Sequence, residues 1–230
     1  MPEDLKEGIK AGKFKTGRVK KKDNKLWAAL AECGMETKDT RSVRDIYKGN
    51  MFIDNTRGEV HIGEIIELVL DMFEDVMNNG GLAREPSTNM MVRLVDTKLH
   101  EDAIHRGPSQ MYPAVREGIR EAIKNAKPIL YEPIQTMIFE APADYMGEIS
   151  KLVSNKRGQL LDMEQEGVDV VVTAKMPVGE MFGMSGDLRS ATGGRGSSFV
   201  KDQNFQKLPD ELQQKIIMQI RSRKGLSDKQ

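Results

Sequence analysis

A chain of 230 residues with 35 Lys+Arg against 35 Asp+Glu has no net field to draw it to nucleic acid, so any RNA contact must come from local patches. Its 38% hydrophobic and 30% charged content is that of a folded chain of one large or two ordinary domains, and its single cysteine, Cys33, excludes an internal disulfide and a cysteine-based zinc site. No apolar run approaches the ~20 residues of a membrane helix, and the acidic start Met1-Pro2-Glu3-Asp4 has no signal-peptide core. The expectation is a soluble, cytoplasmic protein in two parts.

Up to Gly49 the chain reads as short helices joined by a basic loop. Leu5 and Ile9 share a helical face. Lys13, Lys15, Arg18, Lys20, Lys21, Lys22 and Lys25 then crowd one segment, which suits a solvated loop and a phosphate-contacting one about equally. Leu26, Trp27 and Leu30 form the next apolar face, ended by Gly34. Asn50-Met51-Phe52-Ile53-Asp54 is strand-like, with Thr56-Arg57-Gly58 as a turn. The clearest helix follows: Ile62, Ile65, Ile66, Val69, Leu70, Phe73, Val76 and Met77 recur at spacings of three and four until Asn78-Asn79-Gly80-Gly81 stops them. A strand over Met90 to Leu99, a polar loop, and a helix from about Pro113 to Ala126 complete the first unit. Pro113 suits the first turn of that helix.

Lys127-Pro128 and Glu132-Pro133 punctuate the chain and predict a boundary, giving domains 1–130 and 131–230. Beyond it the order is a strand (Ile134 to Glu140), a helix (Ala143 to Asn155) and two strands (Gln159 to Met163, Val168 to Ala174). A helical segment (Val178 to Ala191) and a strand near Ser197 to Lys201 follow. This βαββαβ order is the split ferredoxin-like pattern. A last helix runs from about Pro209 to Arg223, with Leu212, Ile216 and Ile220 facing inward and Arg221, Arg223 and Lys224, before Gly225, complementing its C-terminal dipole. The fold class is α+β in two domains, the second ferredoxin-like with an extra C-terminal helix.

Leu99-His100-Glu101-Asp102-Ala103-Ile104-His105-Arg106-Gly107-Pro108-Ser109-Gln110 is the place to look for function, because two of the chain's three histidines lie in a polar loop between apolar elements. His100-Glu101 with His105 falls short of a zinc-protease signature, which needs histidines four apart. Five apart, they stand about 140° from each other on a helix and on opposite faces of a strand. No metal ligand set is expected. Gly12-Lys13-Phe14-Lys15-Thr16-Gly17-Arg18-Val19 has the glycines of a phosphate loop without its Lys-Ser/Thr end. Gly193-Gly194-Arg195-Gly196 precedes a strand and reads as a flexible loop. Gly183-Met184-Ser185-Gly186-Asp187 lacks the last glycine of a nucleophile elbow, and no histidine follows it. No catalytic or cofactor-binding residue is expected in this chain, and most of the 15 methionines fall at apolar positions that suit core filling.

The loop, together with Tyr112-Pro113, Leu130-Tyr131-Glu132-Pro133-Ile134-Gln135, Asn155-Lys156-Arg157-Gly158, Pro177-Val178-Gly179-Glu180-Met181-Phe182-Gly183 and Ser185-Gly186-Asp187-Leu188-Arg189-Ser190-Ala191-Thr192-Gly193-Gly194, closely resembles translation elongation factor two. That family is the archaeal and eukaryotic counterpart of elongation factor G. The blocks run in family order from near the N-terminus to the last helix. Glu101 and Arg106-Gly107-Pro108-Ser109 look more archaeal than eukaryotic. The resemblance implies a C-terminal fragment holding most of the fourth domain, beginning after its first strand, and all of the fifth. The GTPase domain, with its GTP and magnesium, has no counterpart here, so this chain is not expected to be an enzyme although its parent would be a translational GTPase.

By the same resemblance, His105 matches the histidine that other enzymes convert to diphthamide, which makes it a substrate and not a catalyst. The family's fourth domain enters the ribosomal decoding site during translocation of tRNA and mRNA. His100, Asp102, His105, Arg106, Gly107 and Gln110 are then the residues expected to contact RNA, with Arg106 offering donors and charge and Gly107 close backbone approach. Expected partners are the ribosome with its rRNA and tRNA–mRNA helix, and the diphthamide-synthesis enzymes; the chain is expected to be a monomer. The alternative is a stand-alone ribosome- or RNA-binding protein of the same fold. Acid–base chemistry by His100, Asp102 and His105 ranks last.

Overall fold

The computed structural model describes residues 1–19, 22–57 and 61–226. Contacts divide the chain into two compact units, Met1–Pro128 with the residues from Ile217 onward, and Ile129–Ile216. In the first unit the order is α1 (Glu3–Lys10), β1 (Gly17–Arg18), α2 (Asn24–Glu32), α3 (Thr37–Thr40), β2 (Val43–Tyr47), β3 (Asn50–Asp54), α4 (Ile62–Asn78), β4 (Met91–Leu94) and α5 (Pro108–Asn125). Its sheet has the order β1-β2-β3-β4, antiparallel up to β3, which pairs in parallel with β4.

Every residue of β3 is buried, which requires a layer on each face of the sheet. Met51 and Ile53 pack with Leu5 of α1 and Leu26 and Leu30 of α2. Phe52 points the other way, against Ile65, Val69 and Phe73 of α4 and Ile119 and Ile123 of α5. The apolar stripe of α4 is thus spent on the sheet and on α5, and its polar face is left to collect partners.

Three expectations for this unit need correction. The segment up to Gly49, expected as helices and a basic loop, also contains strands β1 and β2; β1 is only two residues long, and in β2 the charged pair Arg44-Asp45 and a bulge between Val43 and Asp45 break the alternation. The strand expected over Met90 to Leu99 stops at Leu94, where its partner β3 ends at Asp54. The helix expected from Pro113 begins at Pro108: Gly107 is its N-cap and Pro108 takes the first position, where a missing N–H costs nothing, while Pro113 lies inside the helix. Lys20, Lys21 and Gly58 lie outside the described residues.

The second unit contains β5 (Tyr131–Pro142), α6 (Met146–Asn155), β6 (Gln159–Glu166), β7 (Asp169–Pro177), α7 (Met184–Ala191) and β8 (Ser197–Lys207). Its antiparallel sheet has the order β6-β7-β5-β8. Ile149 and Val153 of α6 with Met184 and Leu188 of α7 cover one face, against Met137 and Phe139 of β5 and Val170, Val172 and Ala174 of β7. This is the split βαββαβ arrangement that the sequence pattern led one to expect, and the α+β class holds for both units. The helical segment from Val178 is broken before α7, because Gly183 takes a left-handed backbone (φ 77°).

α8 (Asp210–Arg223) closes the chain. Its Gln213 bonds Leu130 on both sides, accepting from the N–H at 2.8 Å and donating to the carbonyl at 3.0 Å. Further along, Arg221 stands in the last turn of the helix as expected, but it is buried there and also donates to the Leu82 carbonyl at 2.9 Å.

Candidate functional site

Past Leu94 no strand continues, and the chain runs without regular structure to Asp102. Asp102 then organises a turn on both sides of itself. Its N–H donates to His100 Nδ1 at 3.0 Å, and its carboxylate accepts from the Ile104 N–H at 3.1 Å. Its carbonyl accepts from the His105 N–H at 3.1 Å, which closes a single 3-10 turn over Ala103–Arg106. Because His100 Nδ1 is an acceptor, the neutral ring carries its proton on Nε2.

The turn brings the His100 and His105 rings into edge contact, with centroids 4.4 Å apart and planes at 64°. Spacing alone had separated them, on the premise that residues 100–105 belong to a helix or a strand. Neither element is present, and the tighter turn closes the gap. Every residue from His100 to His105 is exposed, including Ile104 at 72%. Gln110 is also exposed, in the first turn of α5, with its side-chain oxygen taking a bond from Ser109 Oγ at 2.7 Å.

Arg106 departs from expectation. It is 8% exposed, the one buried residue of the segment His100–Gln110. Its Nη1 donates to the carbonyls of His100 and Glu101, both at 2.6 Å. Its Nε and Nη2 donate to Glu64 Oε2 at 3.1 and 2.7 Å. Four of five guanidinium N–H groups are thereby committed, so Arg106 supports the loop and offers no cation at its tip. Gly107 is likewise half-buried, as the helix N-cap. His100, Asp102, His105 and Gln110 remain on the outer side.

Glu64, in the first turn of α4, is the residue that sequence reasoning missed. Its Oε1 lies 2.8 Å from His61 Nδ1 while Oε2 takes Arg106. The His61 hydrogen bond first, and Arg106 second, hold its carboxyl below the usual range. In the sequence an acid there reads only as a complement to the helix dipole.

Two other candidates resolve differently. Arg18, counted in the basic run, lies across the polar face of α4 and is hydrogen-bonded to Glu67, Asp71 and, at 3.1 Å, Glu74. Lys13, Lys15, Lys22 and Lys25 are exposed. Arg195 of the glycine-rich loop stacks over Tyr145, 4.9 Å from the ring centroid, and also bonds its hydroxyl. Among the described residues no group of three or more His, Cys, Asp or Glu stands together to hold a metal ion, and no helix is long and apolar enough to cross a membrane.

The family profile "Elongation factor G, domain IV" matches residues 10–127, and "Elongation factor G C-terminus" matches residues 129–225. The chain belongs to the elongation factor G family. It is 46% identical over 226 residues to Elongation factor 2 of Pyrococcus horikoshii and 48% over 227 to that of Pyrococcus furiosus, each match covering 98% of this chain and 31% of the relative. Elongation factor 2 of Thermococcus sibiricus is 45% identical over 228 residues. These relatives are archaeal, in line with the reading of Glu101 and Pro108-Ser109, and the chain spans about a third of their length. Within the elongation factor G family frame, the His100–Gln110 loop lies in the domain IV match and the βαββαβ sheet in the C-terminal match.

Proposed function

We propose that this chain works in the cytoplasm as part of a translation elongation factor, with the loop around His105 entering the ribosomal decoding site during GTP-dependent movement of tRNA and mRNA, and with His105 as the acceptor of diphthamide. One observation supports this reading most directly. The His105 ring is exposed on a loop whose backbone is fastened from beneath by Arg106, so a modifying enzyme can reach the ring carbon of a loop that is already shaped. A-form RNA is recognised through shape, phosphates and 2′-hydroxyls, and the exposed imidazoles, the Gln110 amide and the α5 N-terminus are groups of that kind.

On this reading the chain is a monomeric binding module without its own chemistry. The ribosome and the diphthamide-synthesis enzymes are its partners, and GTP and magnesium belong to a domain that it does not contain. Titration with a fluorescent GTP analogue is expected to give no saturable signal, and micromolar, magnesium-dependent binding overturns that.

The deciding experiment is mass spectrometry of the chain after incubation with archaeal diphthamide-synthesis enzymes and S-adenosylmethionine. The parent is expected to gain the aminocarboxypropyl group and His105→Ala to gain nothing, while His100→Ala remains an acceptor. A modified His105→Ala chain shows that another histidine is the target.

A further inference from the structure

We propose that Glu64 is the positioning residue of the His105 loop: through Arg106 it holds the backbone that presents the two imidazole rings. This rests on the loop being the functional one, and it adds a residue 42 positions upstream of Arg106, on a different element.

The contacts run in one line. Glu64 Oε2 accepts from both Nε and Nη2 of Arg106, so one oxygen faces that edge of the guanidinium and sets the direction of the group. With that direction set, Nη1 points at two successive carbonyls, those of His100 and Glu101. Those carbonyls belong to the residues that enter the turn, and the turn sets the contact between the His100 and His105 rings. Glu64 is itself fixed, by its place in the first turn of α4 and by His61 on its other oxygen.

The alternative is an ordinary surface ion pair, whose loss changes little. Burial argues against it. The Arg106 side chain is 7% exposed whereas that of Glu64 is 52% exposed. Removing the acid therefore leaves a buried guanidinium without the two bonds that orient it, which is far more disruptive than separating two solvated charges. The rest of the loop has little to take over. Asp102 spends its bonds within the turn, and the ring pair rests on it.

The test compares the parent chain with Glu64→Ala, which removes both acceptors, and Glu64→Gln, which keeps one oxygen and the side chain's length. Hydrogen exchange of the backbone amides is followed alongside the rate of His105 modification by the diphthamide-synthesis enzymes. Thermal melts should show all three chains folded at the assay temperature, with Glu64→Ala lowered and Glu64→Gln between it and the parent, because Glu64 lies outside the hydrophobic core but holds a buried guanidinium. Exchange should accelerate in Glu64→Ala over residues 100–107 while α4 and β3 keep their protection, with Glu64→Gln intermediate. The modification rate kcat/KM should fall by about tenfold in Glu64→Ala, the scale on which losing a charge-assisted hydrogen bond acts, with partial rescue in Glu64→Gln.

Unchanged exchange over residues 100–107 in Glu64→Ala overturns the proposal whatever the modification does. Accelerated exchange in a chain whose parent is never modified at His105 sustains the positioning role and removes the acceptor reading instead. Accelerated exchange with an unchanged modification rate overturns the claim that the held loop is what the enzyme reads.

Discussion

Two arginines from different parts of the chain lie against the same helix and do different things. Arg106 inserts beside Glu64 in the first turn of α4 with its side chain 7% exposed, and turns its remaining donors on loop carbonyls. Arg18 comes from β1 and spans Glu67, Asp71 and Glu74 further along α4, with its side chain 38% exposed and all three of these contacts made to side-chain carboxylates. The first converts a charge into backbone geometry. The second balances an acidic stripe, which the raised Arg18 pKa reflects through its bond to Asp71 first. A cation's worth to a fold depends less on how many acids surround it than on whether water has been removed and what else it must hold.

The largest expected effect is at Arg106. Arg106→Ala removes four charge-assisted bonds from a buried site and should lower stability by about 2–3 kcal/mol. Urea denaturation measures it, and the loss should change little between 0.05 and 0.5 M NaCl, because the Arg106 side chain is 7% exposed and two of its four bonds go to backbone carbonyls. A loss that vanishes in high salt would put Arg106 in the same class as Arg18.

Next comes the group that Arg18 faces across the β1–β2 pair. Asp45 is fully buried, and neither carboxylate oxygen has a hydrogen-bond partner. Burial, and then the nearby Glu74, raise its pKa to about 6 from an ordinary 3.8. The folded chain therefore keeps this proton between about pH 4 and 6, where the unfolded chain has released it. Stability from this group falls as pH rises through that window, and its full cost is present at neutral pH. Asp45→Asn should flatten that slope and raise stability at pH 7.5 by about 1–2 kcal/mol, less than the ~3 kcal/mol that a rise from 3.8 to about 6 represents, because the buried amide then has hydrogen-bonding groups of its own to satisfy. Glu64 has a lowered pKa and acts in the opposite sense: its contribution is lost as pH falls below the ordinary carboxylate range. An unchanged pH profile in Asp45→Asn would mean that Arg18 already neutralises the site.

Arg18→Ala should cost less, about 1 kcal/mol in dilute salt, because half-exposed pairs are screened. It should cost almost nothing in 0.5 M NaCl. Double-mutant cycles with Glu67 and Glu74 should divide the effect among the carboxylates; a cost above that of Arg106→Ala would reverse the comparison.

These contrasts also mark what the sequence could and could not tell. The α4 stripe and strands β5 and β7 were legible because burial on a fixed face repeats with the period of the element. β2 was not, since Asp45 occupies an inward position and a bulge breaks the alternation. The start of α5 was misplaced because Pro108 and Pro113 both suit a first turn, and only the chain's path distinguishes them. His100 and His105 were legible as rare residues in a polar loop. Their contact was not, because it depends on a 3-10 turn too short to leave a period. The role of Arg106 was the least legible of all: a basic residue beside a candidate site reads as a ligand contact, and the acid that claims it is 42 residues away.

The smallest expected effect lies one residue from the largest. His105→Ala deletes the edge contact with His100 but leaves the His105 N–H on the Asp102 carbonyl and the Arg106 bonds in place, since none of them uses the imidazole. An exposed side chain outside the hydrogen-bonded support should change stability by no more than ~0.5 kcal/mol. The two variants therefore divide adjacent residues into one that makes the loop and one that the loop displays. Urea midpoints of Arg106→Ala and His105→Ala, taken together, measure that division. If His105→Ala loses more than ~1 kcal/mol, well beyond the usual range for a surface change, the ring pair is part of the support, and the loop holds His105 as much for its own stability as for any partner.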